Sequence, residues 1–405
     1  MKSRKLGAEL ELFLTKDDIP ATPKDWAIIV NRAVSAGYSA ITEPYNGLAL
    51  GASGKNGWFI LDNNCAIVEL VSLPFCDLDA TIDNLEKLLV FFESITPEYR
   101  LHWVSQYAPP NEDEYWNRTV STGLYSIVRH QNWGHWHLMN SLAFQPAIDI
   151  STPEIPAVLR TLYLTAPLFV YLYGGHDIKK TPRLQNWLHA IPYSAQRTGL
   201  PTREINSLDD YVANLLDLPA FIVSNSVKNG ELAFFDTQNG RPRVSDVVFN
   251  GATAFRVHHI PTTSQMRTDK IGYNKTHVNG SLANFYALSL PFWHCRLVFD
   301  AGVGTIDGDV GTITRAIEKS DKLYVELRHI GTPQNMMELR KIYQVFVNLV
   351  ERAQEINQTI SPLISWQEAQ DENRLAVQNG ALGDKSKLVF NTLKELGLFQ
   401  KEETL

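Results

Sequence analysis

Apolar and polar residues alternate at the start of the chain, in residues 6–14. A period of two is typical of a β-strand whose two faces meet different surroundings. Glu9, Glu11 and Phe13 share one face of this strand, and the other face carries only apolar side chains. A buried pair of carboxylates is costly unless a cation or hydrogen-bond donors compensate it. The pattern suggests a hard metal ion such as Mg²⁺, although an amphipathic strand with both carboxylates in water is the better explanation when the strand is considered alone.

Periodicity further along the chain predicts strands first and helices in groups later. The predicted helices span 23–36, 77–94, 154–173, 209–216, 333–357 and 384–398, and the further strands span 58–61, 65–73, 101–105, 135–150 and 324–328. Residues 109–134 and 176–206 are expected to be largely irregular, and 225–290 give no assignment. This order favours an α+β fold with a largely antiparallel sheet. We expect a single domain over 1–405 with a helical C-terminal part from about 333.

Composition narrows the class of protein. The 405 residues are 44% hydrophobic and 20% charged, so the chain can bury a core. A net charge of -7 without a long basic run predicts no nucleic-acid partner. Three isolated cysteines fit a reducing compartment. No apolar stretch is expected to be long enough to span a membrane, so we expect a cytoplasmic protein with no membrane partner.

Acidic residues also interrupt two other predicted strands. Glu69 lies in an otherwise apolar run, where an unpaired acid is unusual, and Asp62 lies in the turn before it. Glu326 and Arg328 are two residues apart on a strand and so point the same way, which suits an acid for a metal beside an arginine for a phosphate. The ordinary alternatives are an edge strand with Glu69 facing outward and a surface ion pair.

Two arginines and two histidines complete the candidates. Arg183 and Arg197 lie in the irregular basic stretch, where each could bind a carboxylate or phosphate through two hydrogen bonds or belong to a solvated loop. His135 and His137 share one strand face. Zinc would need further ligands that the sequence does not identify, so we interpret them as polar strand residues.

These segments, in this order, resemble the glutamate–cysteine ligase family, and most closely its plant and proteobacterial type. Residues 7–11 resemble the family's opening Gly-x-Glu-x-Glu strand, and 69–74 resemble its second acidic strand. Residues 324–328 are similar to its Tyr-Leu-Glu-Met-Arg strand. Four more segments follow the family's order: 125–129, 145–149, 183–187 and 196–199. The resemblance spans most of the chain, but 225–320 match little.

The resemblance implies a glutamine-synthetase-like fold, a curved antiparallel sheet flanked by helices. It implies an ATP-dependent ligase that activates the γ-carboxylate of glutamate, or an analogue, as an acyl phosphate and couples it to an amine such as cysteine. The implied ligands of two or three Mg²⁺ ions are Glu9, Glu11, Asp62, Glu69, Gln145 and Glu326. Glu69 and Arg328 are the implied catalytic residues, and the implied substrate-binding residues are Arg183, Arg197, Trp187 and Tyr125.

One departure from the family leaves alternatives open. Pro146 and Ala147 break its Gln/His-x-Asn/His pattern, so either Gln145 or the histidines at 135 and 137 complete the metal site. The same departure motivates a second hypothesis, a non-catalytic ATP-binding homologue. A guanidino phosphotransferase is a third hypothesis, because such kinases share the implied fold. It is disfavoured because they lack the Gly-x-Glu-x-Glu strand.

Overall fold

The structure is a computed structural model. It describes residues 4–43, 47–62, 64–107, 114, 118, 141–175, 182–190, 194–220, 223–226, 231–234, 242–259, 272–278, 285, 289–300, 309–399 and 405. Tyr125, His135 and His137 lie outside these ranges, so the predictions made for them stay predictions.

Most of the described strands form one antiparallel sheet. In chain order the strands are β1 (Leu6–Lys16), β2 (Ile19–Pro20), β3 (Ser39–Thr42), β4 (Ala49–Gly54), β5 (Gly57–Leu61), β6 (Ile67–Val71), β7 (Tyr99–His102), β8 (Phe144–Asp149), β9 (Thr198–Gly199), β10 (Val223–Ser226), β11 (Glu231–Phe234), β12 (Ala252–His259), β13 (Gly272–Val278), β14 (Phe292–Trp293), β15 (Cys295–Phe299) and β16 (Leu323–Leu327). The large sheet has the order β15-β16-β8-β1-β6-β5-β4-β3, with β2 and β7 also paired to β1. The predicted α+β class with a largely antiparallel sheet is confirmed.

Helices cover the apolar face of this sheet. They are α1 (Pro23–Ser35), α2 (Leu78–Ile95), α3 (Ile155–Tyr173), α4 (Pro182–Ala190), α5 (Ser194–Arg197), α6 (Leu208–Leu216), α7 (Val244–Asn250), α8 (Val310–Glu318), α9 (Met336–Glu351), α10 (Ala353–Ile360), α11 (Trp366–Asn379) and α12 (Asp384–Glu395). On β1, Leu10, Leu12 and Leu14 are 0% exposed, as the alternation predicts. Helices α2 and α9 contact the strands around β1, so Glu9 and Glu11 lie on the face opposite these helices.

The core helix α3 corrects one expectation. The segment Thr152–Tyr173 is long and apolar enough to cross a membrane by length and composition. However, 72% of its most apolar window is buried inside the protein, where α3 packs against α9, α10 and α11. Packing in the core therefore explains its composition. The predicted location in the cytoplasm stays a prediction.

Several predicted elements are wrong or incomplete. Residues 176–206 were expected to be irregular, yet α4 and α5 lie there. The unassigned region contains α7 and a separate four-stranded sheet, β10-β11-β12-β13. The predicted helix 333–357 is divided into α9 and α10 at Arg352, which has φ −105° and ψ 18°. Helix α11 was not predicted because few of its residues are apolar, although Ser365 and Glu368 form a capping box at its start.

Candidate functional site

Strand register places the predicted acids side by side on one face of the sheet. Glu11 lies directly opposite Glu69 across β1 and β6. Glu9 lies opposite Gln145 across β1 and β8. Ile60 on β5 pairs with Glu69, and Asp62 follows Ile60 by two residues, so alternation directs it to the same face. The sheet therefore assembles acids from β1, β6 and the end of β5.

Burial and mutual repulsion favour the protonated forms of these carboxyls. Glu11 is only 5% exposed, and burial, with the nearby Asp62 and Glu9 charges, raises its pKa to about 8. Burial and the Glu326 carboxylate raise the pKa of Glu9 to about 7. Burial, with the carboxylates of Glu9 and Asp62, raises the pKa of Glu69 well above its usual value. These shifts indicate a site that gains from binding either protons or a cation.

Gln145 adds a neutral oxygen to this face. Its Nε2 donates a hydrogen bond of 2.8 Å to Oε1 of Glu11. Its Oε1 is buried and accepts no hydrogen bond. An amide oxygen beside carboxylates is a suitable ligand for a hard cation, and such a bond would satisfy the unpaired acceptor.

Glu326 is engaged differently from the other acids. Its side chain is fully buried and binds two guanidinium groups: Oε1 lies 2.8 Å from Nη1 of Arg328 and 3.1 Å from Nε of Arg296. Burial would raise the Glu326 pKa, but the Arg296 and Arg328 charges more than offset it, and the pKa is lowered. Glu326 and Arg328 thus meet, as their spacing predicts. In this arrangement the carboxylate is neutralised by arginines, and its role as a metal ligand stays a prediction.

The residues present fit magnesium held jointly with a polyphosphate. No three His, Cys, Asp or Glu side chains within the described ranges converge as a ready metal centre. Mg²⁺ typically takes one or two carboxylates and completes its shell with water and substrate phosphates. The carboxylates on β1 and β6, with the free oxygen of Gln145, supply that kind of donor set.

Helix α4 brings a cationic group to the same face. The Arg183 side chain is buried, its guanidinium stacks over the Trp187 ring at 4.4 Å, and its Nη1 donates to the Arg328 carbonyl at 2.6 Å. Burial lowers the Arg183 pKa to about 10, although the Glu11 charge partly offsets this effect. The buried Nε atoms of Arg183 and Arg328 and the indole Nε1 of Trp187 have no hydrogen-bond partner. Three buried donors without acceptors suit an anionic ligand.

Arg197 is not part of this cluster of donors. Its side chain is 1% exposed, and its guanidinium donates to two backbone carbonyls, those of Leu290 at 2.7 Å and of Pro219. These contacts link the end of α5 to two other segments, the one just before β14 and the one that follows α6. The predicted role of Arg197 in substrate binding therefore gains no support from its described contacts.

A cavity opens at the Glu9 end of the acidic face. Its volume is about 440 Å³, and its walls include Glu9, Gln145, Trp58, Tyr324 and Lys322. The Lys322 ammonium lies 5.3 Å from the centroid of the Tyr324 ring. A larger hollow of about 1050 Å³ lies beside α9 and contains none of these acids, so its size does not make it the functional site.

Sequence reasoning missed four residues around the site: Arg296, His294, His329 and Asn373. Arg296 pairs with Glu326 across β15 and β16. It is a single charge in the apolar run 295–299, which is the same signal that identified Glu69. The histidines and Asn373 lie on segments more than 30 residues apart, so no short sequence pattern could predict that they are close together.

The chain is similar to a number of solved structures. No protein-family model and no curated protein sequence matches it. A bifunctional glutathione synthetase from Pasteurella multocida aligns at 11% identity and a TM-score of 0.42, over 98% of this chain and 45% of that chain. A glutamate–cysteine ligase from Francisella tularensis, solved in complex with AMP, aligns at 12% identity and 0.35, over 99% and 96%. The ligase PafA, in complex with the ubiquitin-like protein Pup, aligns at 12% and 0.24, over 99% and 78%. This chain thus spans less than half the length of the first of these proteins.

Proposed function

We propose that this protein is an ATP- and Mg²⁺-dependent carboxylate–amine ligase that acts on glutamate or a close analogue. One observation carries the proposal: a single sheet face gathers Glu9, Glu11 and Glu69 with raised pKa values, next to the buried guanidinium of Arg183 and the partly buried guanidinium of Arg328. Such a face can hold a cation and an anion side by side. Joining ATP to a second anion requires this arrangement.

The acids and Gln145 hold the metal–nucleotide part of this site. Glu9, Glu11, Glu69 and Asp62 are the charged ligands, and the unpaired Oε1 of Gln145 is a neutral ligand. Bound Mg²⁺ neutralises phosphate charge and aligns the γ-phosphoryl group. In the adjacent cavity of about 440 Å³, Trp58 and Tyr324 offer aromatic walls that suit a nucleobase, and Lys322 offers a cation for phosphate or ribose oxygens.

The arginines hold the reacting anions. A carboxylate oxygen of the substrate attacks the γ-phosphorus, the bond to the ADP oxygen breaks, and an acyl phosphate forms. Arg328 stabilises charge on the transferred phosphoryl oxygens, and Glu326, which also binds Arg296, fixes the Arg328 guanidinium by ion pairing. Arg183, flattened against Trp187, binds the substrate carboxylate through its free Nε–H.

The second step forms the amide. The amine attacks the acyl carbon, the C–O bond to phosphate breaks, and the nitrogen loses a proton to the departing phosphate. Protein groups contribute by holding both reactants in place and by excluding water, since acyl phosphates hydrolyse.

The direct test is ADP release with ATP, Mg²⁺, glutamate and a panel of amines. We expect release that requires both glutamate and an amine, and a loss of at least about a hundredfold in Glu9→Gln. Glu86→Gln is the matched control, because Glu86 is exposed on α2, and it should behave as the unaltered protein. Absence of glutamate- or amine-dependent turnover with every amine would count against the proposal.

The second candidate is a non-catalytic ATP-binding homologue. The ion-paired state of Glu326 favours it, because this acid is expected to bind metal in an active ligase. Calorimetry separates the candidates: Mg²⁺-dependent ATP binding without turnover supports the second one. ADP formation with phosphoryl transfer to a guanidino compound, and without an amide, supports the disfavoured phosphotransferase.

A further inference from the structure

Two buried histidines lie close to Arg183 and Arg328. The rings of His294 and His329 are 4.7 Å apart at their centroids, and the side chains are 2% and 1% exposed. Nε2 of His294 lies 2.6 Å from Oδ1 of Asn373 on α11. The His329 ring packs edge-on against Phe169 of α3. The pair therefore connects two helices of the core to the end of β16.

The chain makes an irregular step where these histidines lie. Glu326 pairs with Ala147, and Gly331 pairs with Ala143. Between these two pairs, the segment from Glu326 to Gly331 advances five residues, whereas the partner segment from Ala147 to Ala143 advances four. One extra residue is therefore accommodated after Glu326. A bulge of this kind redirects side chains and needs other contacts to fix it. Arg328 and His329 are within it.

The His294 carbonyl fixes this irregular step. It accepts hydrogen bonds from the Arg328 backbone N–H at 2.8 Å and from Nδ1 of His329 at 2.7 Å. The carbonyl of Arg328 in turn accepts the bond from Nη1 of Arg183 at 2.6 Å. The Arg328 backbone thus carries one guanidinium on its own side chain and accepts a hydrogen bond from the guanidinium of Arg183. The hydrogen bonds of His294 and His329 fix the position of this backbone.

Both rings are neutral at physiological pH. Burial lowers the His294 pKa to about 4, and burial, with the neighbouring His294, lowers the His329 pKa well below its usual value. A carbonyl can only accept, so the His329 proton resides on Nδ1. The bond to Asn373 Oδ1 likewise places the His294 proton on Nε2. Neutral rings brace the arginines without adding a third positive charge beside Arg183.

We propose that His329 and His294, the latter held by Asn373, are positioning residues for the Arg183–Arg328 pair, so that helix α11 contributes to the anion-binding site without touching the ligand. The consequence for catalysis rests on the proposed function, whereas the bracing of the arginines does not. Removing the hydrogen bonds of these two histidines should leave the fold intact and increase the mobility of both guanidinium groups.

Paired variants distinguish bracing from general packing. In His329→Asn, the amide nitrogen can replace Nδ1 as donor, whereas His329→Leu keeps the bulk and loses the donor. We expect His329→Leu to weaken Mg·ATP binding by about tenfold and to raise KM for the carboxylate substrate more than it lowers kcat, while His329→Asn stays within about threefold. Equal effects of the two variants would overturn the proposal. Asn373→Leu should act as His329→Leu does, and exposed Asn379→Leu on the same helix is its control.

A readout independent of activity uses NMR. Hydrogen exchange of the Arg183 Nε–H, assigned with Arg183→Lys, should accelerate at least about tenfold in His329→Leu and remain slow in His329→Asn. Unchanged exchange in His329→Leu overturns the bracing role even if the protein proves to be a ligase. If the unaltered protein binds no ATP, the proposed function fails, and the exchange rates still decide whether the histidines position the arginines.

Discussion

Glu11 and Glu69 lie directly opposite each other on neighbouring antiparallel strands, with Gln145 hydrogen-bonded to Glu11 from the strand on the other side. Like charges in facing positions destabilise a sheet. The protein therefore carries a local cost at this position, which a bound cation would relieve.

Removing one of the two facing carboxylates should stabilise the metal-free protein and abolish its response to magnesium. Glu69→Gln keeps the shape of the side chain and removes the repulsion with Glu11. We expect a higher Tm without Mg²⁺ near pH 8 and little or no further rise when Mg²⁺ and ATP are added. Thermal unfolding with and without Mg·ATP measures both effects, with Glu86→Gln as control. A lower Tm in metal-free Glu69→Gln contradicts this account.

The stability of the metal-free protein should fall as pH rises. Glu9 and Glu11 have folded pKa values of about 7 and about 8, above the usual value of 4.5, so the folded state binds more protons than the unfolded state between these limits. The stability that they contribute is complete below about pH 4.5 and is lost as pH rises through 7 and 8. Urea titrations over this range should show a loss on the order of a few kcal/mol.

Magnesium should reverse this pH dependence. Because the ligands must be deprotonated to bind a cation, affinity for Mg·ATP should rise with pH over the same interval, and binding should release protons. Calorimetry in two buffers of different ionisation enthalpy measures the proton release. Binding without proton release near pH 7, where Glu9 is expected to titrate, is incompatible with ligation by these carboxyls.

Gln145 should act as a ligand through its oxygen. Gln145→Leu removes the oxygen and also the hydrogen bond to Glu11, so we expect Mg·ATP affinity to fall about tenfold. Gln145→His retains a polar ligand and should recover part of the affinity. The two variants are compared by the Kd for Mg·ATP. Equal affinity in Gln145→Leu and the unaltered protein would show that the unpaired oxygen has no role in binding.

Arg183 should be irreplaceable by lysine. Lysine keeps the charge but cannot stack on Trp187 while donating to the Arg328 carbonyl. We expect KM for the carboxylate substrate to rise about tenfold or more in Arg183→Lys, with a smaller change in the Kd for ATP. Arg32→Lys is the control, since Arg32 forms a surface ion pair with Glu98. A rise in KM that is the same in both variants argues against a specific role.

Tyr343 should stabilise the centre of the sheet. Its buried hydroxyl lies 2.6 Å from the Gly7 carbonyl and 2.9 Å from the Ala147 carbonyl, which belong to paired residues on β1 and β8. Tyr343→Phe removes the single hydroxyl proton that these two acceptors share, so the free energy of unfolding should fall by about 1–2 kcal/mol. The half-buried Tyr171, replaced in Tyr171→Phe, is the control, and denaturant unfolding compares them. A change below that of the control would contradict the bridging role.

The sequence could predict the acidic face because local alternation determines it. Glu9 and Glu11 share a face by a period of two, and Glu69 stands out in an apolar run, so neither inference needed the tertiary structure. The same rule placed Arg328 beside Glu326. That rule could not show that Arg296 completes the ion pair, because its position depends on pairing between β15 and β16.

Other features of the site depend on contacts between distant segments. Arg183 was predicted to bind substrate while its segment was expected to be irregular. The structure places it on α4, stacked on Trp187 one helical turn away. Asn373 reaches His294 from a helix whose sequence is mostly polar, so hydrophobic periodicity could not predict it. Arg197 shows the converse: a residue type suited to binding anions is used to hold backbone carbonyls.

The central claim is that this sheet face joins a carboxylate to an amine at the expense of ATP, and product analysis tests it most directly. The protein is incubated with ATP, Mg²⁺, glutamate and a mixed pool of amines, and the products are identified by mass spectrometry. We predict a γ-glutamyl amide, with the mass of glutamate plus one amine minus water, formed together with an equal amount of ADP and absent in Glu9→Gln. Folded protein that binds Mg·ATP and forms no amide with any amine in the pool would contradict the account.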